Sequence, residues 1–578
     1  MSQLITNILE DNMADTKNNA KTINGAQLLI KLLEHQGIDI IAGIPGGTNL
    51  PMYDALYGSS IRHILVRHEQ AAGFFAQGIS RTTGKAAVCF ATSGPGATNA
   101  LTAIADAKLD SIPIVAITGQ VPYSLVGTDA FQEVDTYGLT LPITKHNFLV
   151  RDVKELLEVI PEAFRIAVSG RPGPVVVDIP KDVQLQTLEL SQLPDIFEPE
   201  EEKIEDPETL NTIEETAKMI NESKRPVLYI GGGVINAEAS AVITEIAEKS
   251  NIPVTCTLMG LGAVSPESPL YIGMLGMHGA RYTNLFLHEA DLLIALGVRF
   301  DDRATGKVEK FCPDASIIHF DIDNAEINKV KRANINIVGG LKPILEKLVP
   351  SINKNDRKEW ISRLGDLKEK HPFVMPPKTD LFHPLTIIKE LGNILSEDDI
   401  VATDVGQHQM WTAQSYPVRK PRTFLTSGGL GTMGFGLPTA IGAAMANPDK
   451  KVVCISGDGS ILMNIQEFAT LADLHPDLKV IIMNNGYLGL VRQQQEMIYQ
   501  KHYIASKFDS SPDFAAIARG FGIKGVRIGR DENPIEIIRK CICEPGPCII
   551  DVLVSPEENV VPIVPPGKAN YEMLGGEA

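Results

Sequence analysis

No hydrophobic run in this sequence approaches the ~18 residues a membrane-spanning helix needs, which leaves no transmembrane segment to place. Basic residues are also short: 53 Lys and Arg stand against 71 Asp and Glu, a formal net charge of -18. With no basic stripe to neutralise phosphates, a nucleic-acid role is excluded, and the acidic surface reads as a contribution to solubility. The first twenty residues, MSQLITNILEDNMADTKNNA, have neither the apolar core of a signal peptide nor the Arg-rich face of a transit peptide. They read as a disordered tail on a cytoplasmic protein. Cysteine is scarce and odd in number, with seven thiols, most inside apolar strand-like runs such as AAVCFAT and KVVCISG, so buried reduced thiols are expected. Cys541, Cys543 and Cys548 crowd together, but no fourth ligand lies nearby and the segment leads into the strand CIIDVLV, which argues against zinc.

What is present is a set of short β-branched runs, many ending in glycine, separated by helix-length segments. At 578 residues the chain is too long for one core. A first block holds IDIIAGIPGG, AAVCFATSGPG, PIVAITGQ and PVVVDIP; a second holds PVLYIGGG, IPVTCTL, DLLIALGVRF and ASIIHFDID; a third holds DIVATDVG, KVVCISGDG, KVIIMNNG and CIIDVLV. Continuous apolar strands spaced in this way indicate parallel sheets covered on both faces, hence α/β architecture with three doubly wound domains. Polar connectors near 190–210 and from about 351 to 383 set expected boundaries at 21–190, 205–350 and 380–560, with a tail over 561–578. In such sheets ligands collect at the glycine-rich turns where strands end.

The third block carries the most informative spacing. Gly457-Asp458-Gly459-Ser460 follows the strand KVVCIS, and Asn484-Asn485 follows KVIIM. Asp458 and Asn485 therefore project from the carboxyl ends of parallel strands. With the Tyr487 backbone carbonyl they form a hard-oxygen half-shell that two diphosphate oxygens and a water would complete around Mg²⁺. GDG alone is a common turn; GDG with NN behind a second apolar strand resembles the thiamine-diphosphate signature. Thiamine chemistry also requires a carboxyl group at the aminopyrimidine N1′, for which Glu69 in VRHEQAAGFFAQG is the candidate, and an apolar wedge under the ring junction, for which Met433 in TSGGLGTMGFG is the candidate. Taken singly, Glu69 suits a helix start and Met433 suits a gap-filling role.

Further strings occur in a specific order: GIPGG (43–47), RHEQAA (67–72), TSGPGATN (92–99), GTDAFQE (127–133), GRPGPV (170–175), PKDVQ (180–184), LGMHG (275–279), RFDDR (299–303), DVGQHQMW (404–411) and VPPGKANYEML (564–574). From about residue 21 onward the chain resembles the acetohydroxyacid synthase family of thiamine-diphosphate enzymes. The resemblance implies pyrimidine-binding, FAD-binding and diphosphate-binding domains in that order, and a C-terminal tail over the active site. It also implies a homodimer with active sites at the interface, Glu69 reaching the cofactor across it, and a separate regulatory small subunit. The implied reaction decarboxylates pyruvate and passes the hydroxyethyl unit to a second pyruvate or to 2-oxobutanoate, at the start of branched-chain amino acid synthesis.

Carried over by similarity, Gln132, Lys181 and His278 line the reaction centre, Phe131 lies against the substrate methyl, and Arg303 holds the carboxylate of the second 2-oxo acid, a role suited to a guanidinium fork. Each has a plainer alternative: Lys181 as a solvated charge, His278 as a satisfied polar residue, Arg303 as the partner of Asp301 or Asp302. Val405, Gly406, Gln407, His408, Gly431, Gly457, Gly459, Ser460 and Gly489 join Glu69, Met433, Asp458, Asn485 and Tyr487 around thiamine diphosphate. In the second block, turns of nucleotide-binding size hold Gly231, Gly232, Gly233, Gly297 and Arg299, with Asp321 or Asp323 set to meet a ribose hydroxyl. The turn spacing alone does not separate NAD from FAD. The resemblance selects FAD, with no net redox step, and adds Arg171, Thr257, Leu258, Leu275, Gly276, Met277, His278, Val298, Asp301, Arg303 and Ile322.

Two departures stand out. Relatives often carry Asp where this chain has Gly340, and many carry Trp where it has Gln494, a position associated with favouring 2-oxobutanoate. An FAD-linked pyruvate oxidase is the alternative enzyme, but the C-terminal segment VPPGKANYEMLGGEA is no amphipathic membrane helix. A non-catalytic nucleotide-binding regulator would not need Glu69, Asp458 and Asn485 together.

Overall fold

The computed structural model describes residues 22–189 and 207–576; the expected N-terminal tail and most of the first connector lie outside the described residues. The described residues form two compact units, one of residues 22–189, 429–448 and 464–476, the other of residues 207–428, 449–463 and 477–576.

In the first unit the strand pair β1 (Thr22–Asn24) and β8 (Thr187–Glu189) is antiparallel. Between them lie β2 (Ile40–Gly43), β3 (Arg62–Leu65), β4 (Ala87–Ala91), β5 (Ile114–Gln120), β6 (His146–Leu149) and β7 (Val175–Pro180), all parallel in the order β3-β2-β4-β5-β7-β6. Strands β4, β5 and β7 are buried along their whole length, as expected of Val/Ile runs covered on both faces. Helix Glu69–Thr83 starts where the His68 ring accepts from the Gln70 N–H and stops at Gly84, whose φ of 76° suits only a residue without Cβ. Helix Pro95–Asp110 starts with proline at its first position, where no N–H is needed.

The second unit contains two sheets. The first has β9 (Pro226–Ile230), β10 (Val254–Cys256), β11 (Tyr271–Met274), β12 (Leu292–Leu296), β13 (Ser316–Asp321) and β14 (Ile335–Val338), ordered β11-β10-β9-β12-β13-β14. The second has β15 (Ile400–Thr403), β16 (Phe424–Leu425), β17 (Val452–Gly457), β18 (Leu478–Asn484), β19 (Lys524–Ile528) and β20 (Cys548–Leu553), ordered β16-β15-β17-β18-β20-β19. Relabelled from its own first strand, the central sheet runs 3-2-1-4-5-6, the dinucleotide-binding order, while the other two share 2-1-3-4-6-5.

Two features differ from expectation. The stretch expected as a connector from about 351 to 383 contains helix Lys358–Lys370, whose Trp360 stacks on Phe286 with ring centroids 3.8 Å apart. Trp360, Leu364 and Leu367 are buried in the core beside β12, so this helix completes the central domain; such an aromatic pair contributes about 0.5–1.5 kcal/mol beyond its area. Residues 429–448, which include Met433, group with the first unit because helix Gly436–Ala446 packs on helix Glu69–Thr83. Six of the seven cysteines are buried and Cys543 is exposed. Among the described residues no helix is long and apolar enough to cross a membrane.

Candidate active site

In each six-stranded sheet the strand order reverses beside the sheet's own first strand, and there glycines lie in close contact with the neighbouring turn. In doubly wound sheets ligands enter the crevice beyond the strand ends at this point.

In the first unit the reversal lies between β2 and β4. A side chain at Gly46 would place Cβ 2.5 Å from Thr92 Oγ1, so the turn after β2 rests directly on the turn after β4. Thr48 Oγ1 lies 2.9 Å from Thr92 Oγ1 and 3.1 Å from Ser93 Oγ. Glu69, the first residue of its helix, is buried; its Oε2 accepts from Asn99 Nδ2 at 2.9 Å, and its Oε1 lies 3.2 Å from where a Gly96 Cβ would be. Gln132 has a φ of 58° and its carbonyl lies against Gly94, while Phe131 beside it is 88% exposed. Lys181 opens the short helix Lys181–Leu185, and Arg171 Nε donates to Ser111 Oγ at 2.9 Å. Met433 is half-buried beside the exposed, positive-φ Gly431.

In the central sheet the reversal lies between β9 and β12. A Cβ on Gly231 would sit 2.3 Å from the Gly297 carbonyl oxygen, and one on Gly233 2.7 Å from Gly297 Cα. The GGG turn and Gly297 form a cradle of backbone in which these four residues contribute no side chain of their own, which fits close approach of a dinucleotide. Thr257 N–H bonds the Ile230 carbonyl and Leu258 begins a 3₁₀ turn beside them. Gly276, with φ 91°, rests on the Arg303 carbonyl, which accepts from Met277 N–H at 2.8 Å. Leu275 and Val298 are buried, and the Val298 carbonyl lies 3.0 Å from His319 Nε2. Arg299 lies on the same turn, half-buried.

The expected acidic residues divide. Asp301 caps the helix Asp302–Thr305 through the Arg303 and Ala304 N–H groups, and the exposed Arg303 guanidinium lies 3.8 Å from both Asp302 Oδ2 and Met277 Sδ. Asp321 Oδ1 accepts from Asp323 N–H at 2.9 Å, and Asp323 itself caps the next turn through Ala325 N–H, beside the partly exposed Ile322. At Gly340 the helix Leu341–Leu348 starts without a side-chain cap. His278 is pushed down to about 4 by burial, with the Arg303 charge adding to it against a hydrogen bond to the Pro562 backbone, and its Nδ1 is buried without a partner.

In the third sheet the reversal lies between β15 and β17. The His408 ring is wedged between two glycines: a Cβ on Gly406 would meet its Cε1 at 2.7 Å and one on Gly457 its Nδ1 at 2.9 Å. Burial pushes His408 down to about 3, and its Nε2 is buried without a partner. Asp458 Oδ2 accepts from Gly486 N–H at 2.7 Å and Asn485 Oδ1 from Tyr487 N–H at 3.0 Å. Burial raises the Asp458 carboxyl to about 7, against backbone N–H groups that favour the carboxylate. Gln407 bridges the cluster: its Oε1 accepts from Asn485 Nδ2 at 3.2 Å, its Nε2 donates to Gln493 Oε1 at 3.1 Å and to the Glu558 carbonyl, and Gly489 leaves it room. Val405 N–H bonds Asp404 Oδ1, Gly459 packs on Leu488, and Ser460 Oγ bonds back to Gly457 N–H.

Among the described residues no group of three His, Cys, Asp or Glu side chains converges. The turns after β17 and β18 offer instead one carboxylate, an amide oxygen and backbone carbonyls. That set fits Mg²⁺ only if a diphosphate supplies the remaining charge, and the orphaned His408 Nε2 marks a polar neighbour. The residues not foreseen are Thr48 and Thr92, which bond each other across the β2–β4 reversal, Asn99 on Glu69, and Gln493, which joins Gln407 to the Val560 backbone.

Three family models match the chain: "Thiamine pyrophosphate enzyme, N-terminal TPP binding domain" over 23–139, the central domain over 213–348 and the C-terminal TPP binding domain over 404–552. The chain is similar to the acetolactate synthase isozyme 1 large subunit of Escherichia coli (strain K12), with 54% identity covering 97% of this chain and 99% of that one. It is 46% identical to the isozyme 2 large subunit of the same organism, over 96% of this chain and 99% of that one. It is 47% identical to the acetolactate synthase large subunit of Parasynechococcus marenigrum, over 96% and 92%.

Proposed function

Since this chain belongs to the acetolactate synthase large-subunit family of thiamine pyrophosphate enzymes, we propose that it decarboxylates pyruvate and joins the remaining two-carbon unit to a second 2-oxo acid. With pyruvate as acceptor the product is 2-acetolactate; with 2-oxobutanoate it is 2-aceto-2-hydroxybutanoate, both in branched-chain amino acid biosynthesis. The observation that carries this is the juncture of the turns after β17 and β18, where Asp458 and Asn485 offer oxygens within one hydrogen-bonded cluster.

Asp458, Asn485 and the Tyr487 carbonyl would hold Mg²⁺, with Val405 to His408, Gly457 to Ser460 and Gly489 around the diphosphate. Bound thiamine diphosphate supplies the electron sink for loss of CO₂. Glu69 holds a proton at the aminopyrimidine N1′; Asn99 engages Oε2 and leaves Oε1 for that contact. Burial keeps His278 neutral at pH 7, so it lines the reaction centre without adding charge. The exposed guanidinium of Arg303 receives the second acid's carboxylate. The Gly231–Gly297 cradle and its neighbours would hold FAD.

The open position of the Phe131 ring supports a homodimer whose second copy completes the site. The relatives' designation as large subunits supports a separate regulatory small subunit. The same names do not favour an FAD-linked pyruvate oxidase.

The test is direct. The purified chain with pyruvate, Mg²⁺, thiamine diphosphate and FAD forms acetolactate, and Glu69→Gln keeps the fold while losing about 100-fold or more in turnover. Pyruvate-dependent flavin reduction at catalytic rate without acetolactate would overturn the assignment. Near-parent turnover by Glu69→Gln would remove that residue from its role.

A further inference from the structure

Three charged side chains lie buried together in the first unit, and the reaction proposed above uses none of them. Arg81 is near the end of helix Glu69–Thr83, and Asp106 and Asp110 lie one turn apart at the end of helix Pro95–Asp110. The guanidinium donates to Asp110 Oδ2 at 2.7 Å and to Gln77 Oε1 at 2.8 Å, and approaches Asp106 Oδ1 at 3.4 Å. The arginine side chain is 4% exposed and both aspartates are 0% exposed. This placement breaks local rules. Carboxylates four residues apart on a helix repel, and the carboxyl end of the macrodipole disfavours negative charge. A buried cluster with more carboxyl groups than cations is a poor source of stability, and such conflicts mark sites kept for another purpose.

Each carboxyl group spends its other oxygen on the same glycine-rich turn. Asp110 Oδ1 accepts from Gly429 N–H at 2.7 Å, and Asp106 Oδ2 accepts from Thr432 Oγ1 at 2.8 Å. Beyond them the Gly434 carbonyl accepts from Asn464 Nδ2 at 2.7 Å. The Phe435 ring lies 4.9 Å from the Arg81 guanidinium and edge-on to Phe74. Gly429 has no room for a side chain, since its Cβ would fall 2.8 Å from Leu109 Cβ. The turn is held at its start, middle and end, and the half-buried Met433 stands between the second and third of these attachments.

We propose that Asp106 and Asp110, oriented by Arg81, are positioning residues that hold the Gly429–Gly434 turn so that Met433 meets the thiamine ring junction at a fixed height. This rests on the cofactor assignment made above. Thr432→Val removes the hydroxyl that Asp106 holds while keeping its shape, and Thr432→Ser keeps the hydroxyl. Hydrogen exchange of the peptide spanning 428–435 is measured in the full chain without cofactor, together with turnover and cofactor affinity in the loaded enzyme. Thr432→Val speeds exchange in that peptide alone by about tenfold and lowers kcat by about tenfold, with Mg²⁺–thiamine-diphosphate affinity changed by less than about threefold. Thr432→Ser restores both. Should Thr432→Val fail to fold, Thr432→Ala gives the same readings.

Faster exchange with unchanged kcat reduces the contact to a structural one and overturns the inference. Parent-like exchange and turnover in Thr432→Val, with Met433→Ala inactive, overturns it while leaving the wedge in place. Parent-like turnover and cofactor affinity in Met433→Ala removes the wedge itself.

Discussion

The carboxylate of Asp458 accepts a hydrogen bond from the backbone N–H of Gly486 at 2.7 Å, so the turn after β17 and the turn after β18 are joined directly. Asp458→Ala deletes both this bond and an oxygen for the metal, and Asn485→Ala deletes an oxygen that also accepts from Tyr487 N–H. Affinity for Mg²⁺–thiamine diphosphate is expected to fall on the order of 100-fold for Asp458→Ala and less for Asn485→Ala. Fluorescence titration with the cofactor measures this; curves unchanged in both variants would remove the metal site.

The cradle proposed for FAD makes a separate prediction. A methyl group at Gly231 would lie 2.3 Å from the Gly297 carbonyl oxygen, so the two turns must part. Overpacking of this kind costs about 1–3 kcal/mol, or roughly tenfold or more in affinity. Gly231→Ala should therefore lose flavin absorbance on gel filtration while still binding thiamine diphosphate. Full retention of flavin would place the dinucleotide elsewhere.

Acceptor choice is expected to depend on Gln494. Its side chain is exposed on helix Gly489–Met497, next to Gln493, which is buried and donates to the Val560 carbonyl. An indole at this position would bury the additional methylene of 2-oxobutanoate, so Gln494→Trp should raise the acetohydroxybutyrate fraction by roughly tenfold under competition. Both products are quantified from a mixture of the two acids. An active variant with an unchanged ratio would show that Gln494 does not face the acceptor.

Asp178 provides the pH prediction. It is fully buried in β7, accepts from Thr118 Oγ1 at 2.6 Å and from Gln120 Nε2 at 3.0 Å, and burial raises its carboxyl to about 7. Between the ordinary carboxyl range and pH 7 the folded chain keeps a proton that the unfolded chain has lost. Stability from this group is complete below the unfolded pKa and is lost as pH rises through the folded one. Asp178→Asn carries no such proton, so its stability relative to the parent should rise between pH 5 and 8, by about 1.4 kcal/mol per pH unit at most. Urea melts of both proteins across that range test the slope; parallel curves would refute it.

The strands were legible because β4, β9, β12 and β17 are continuous apolar runs, the last three rich in Val, Ile and Leu, buried on both faces, a property that one sequence displays by itself. Strand order was not legible, since 2-1-3-4-6-5 and 3-2-1-4-5-6 arise from the same alternation of runs and glycines. Asp458 and Asn485 stood out by their chemistry behind two strands. Gln493 did not: within QQQ the buried and exposed amides differ only in helical phase. Thr48 and Asn99 are ordinary in glycine-rich turns until the fold brings Thr48 onto Thr92 across the β2–β4 reversal and Asn99 onto Glu69. Helix Gly436–Ala446 is apolar on all sides, so its pattern names no partner. Its contact with helix Glu69–Thr83 depends on Gly78 and Gly442, where a Cβ would lie 2.1 Å from the opposing backbone.

The C-terminal segment closes the central domain rather than merely following the third sheet. Val564 N–H bonds the Met277 carbonyl, Lys568 O accepts from Lys307 N–H, Asn570 Nδ2 donates to the Ala304 carbonyl, and Arg281 donates to the Met573 carbonyl across 292 positions. The turns bearing His278 and Arg303 thus leave the ribosome long before the residues that brace them. During synthesis the central sheet can assemble before these contacts exist, and a chain stalled before residue 560 would present that sheet with the turns at Met277 and Ala304 unbraced.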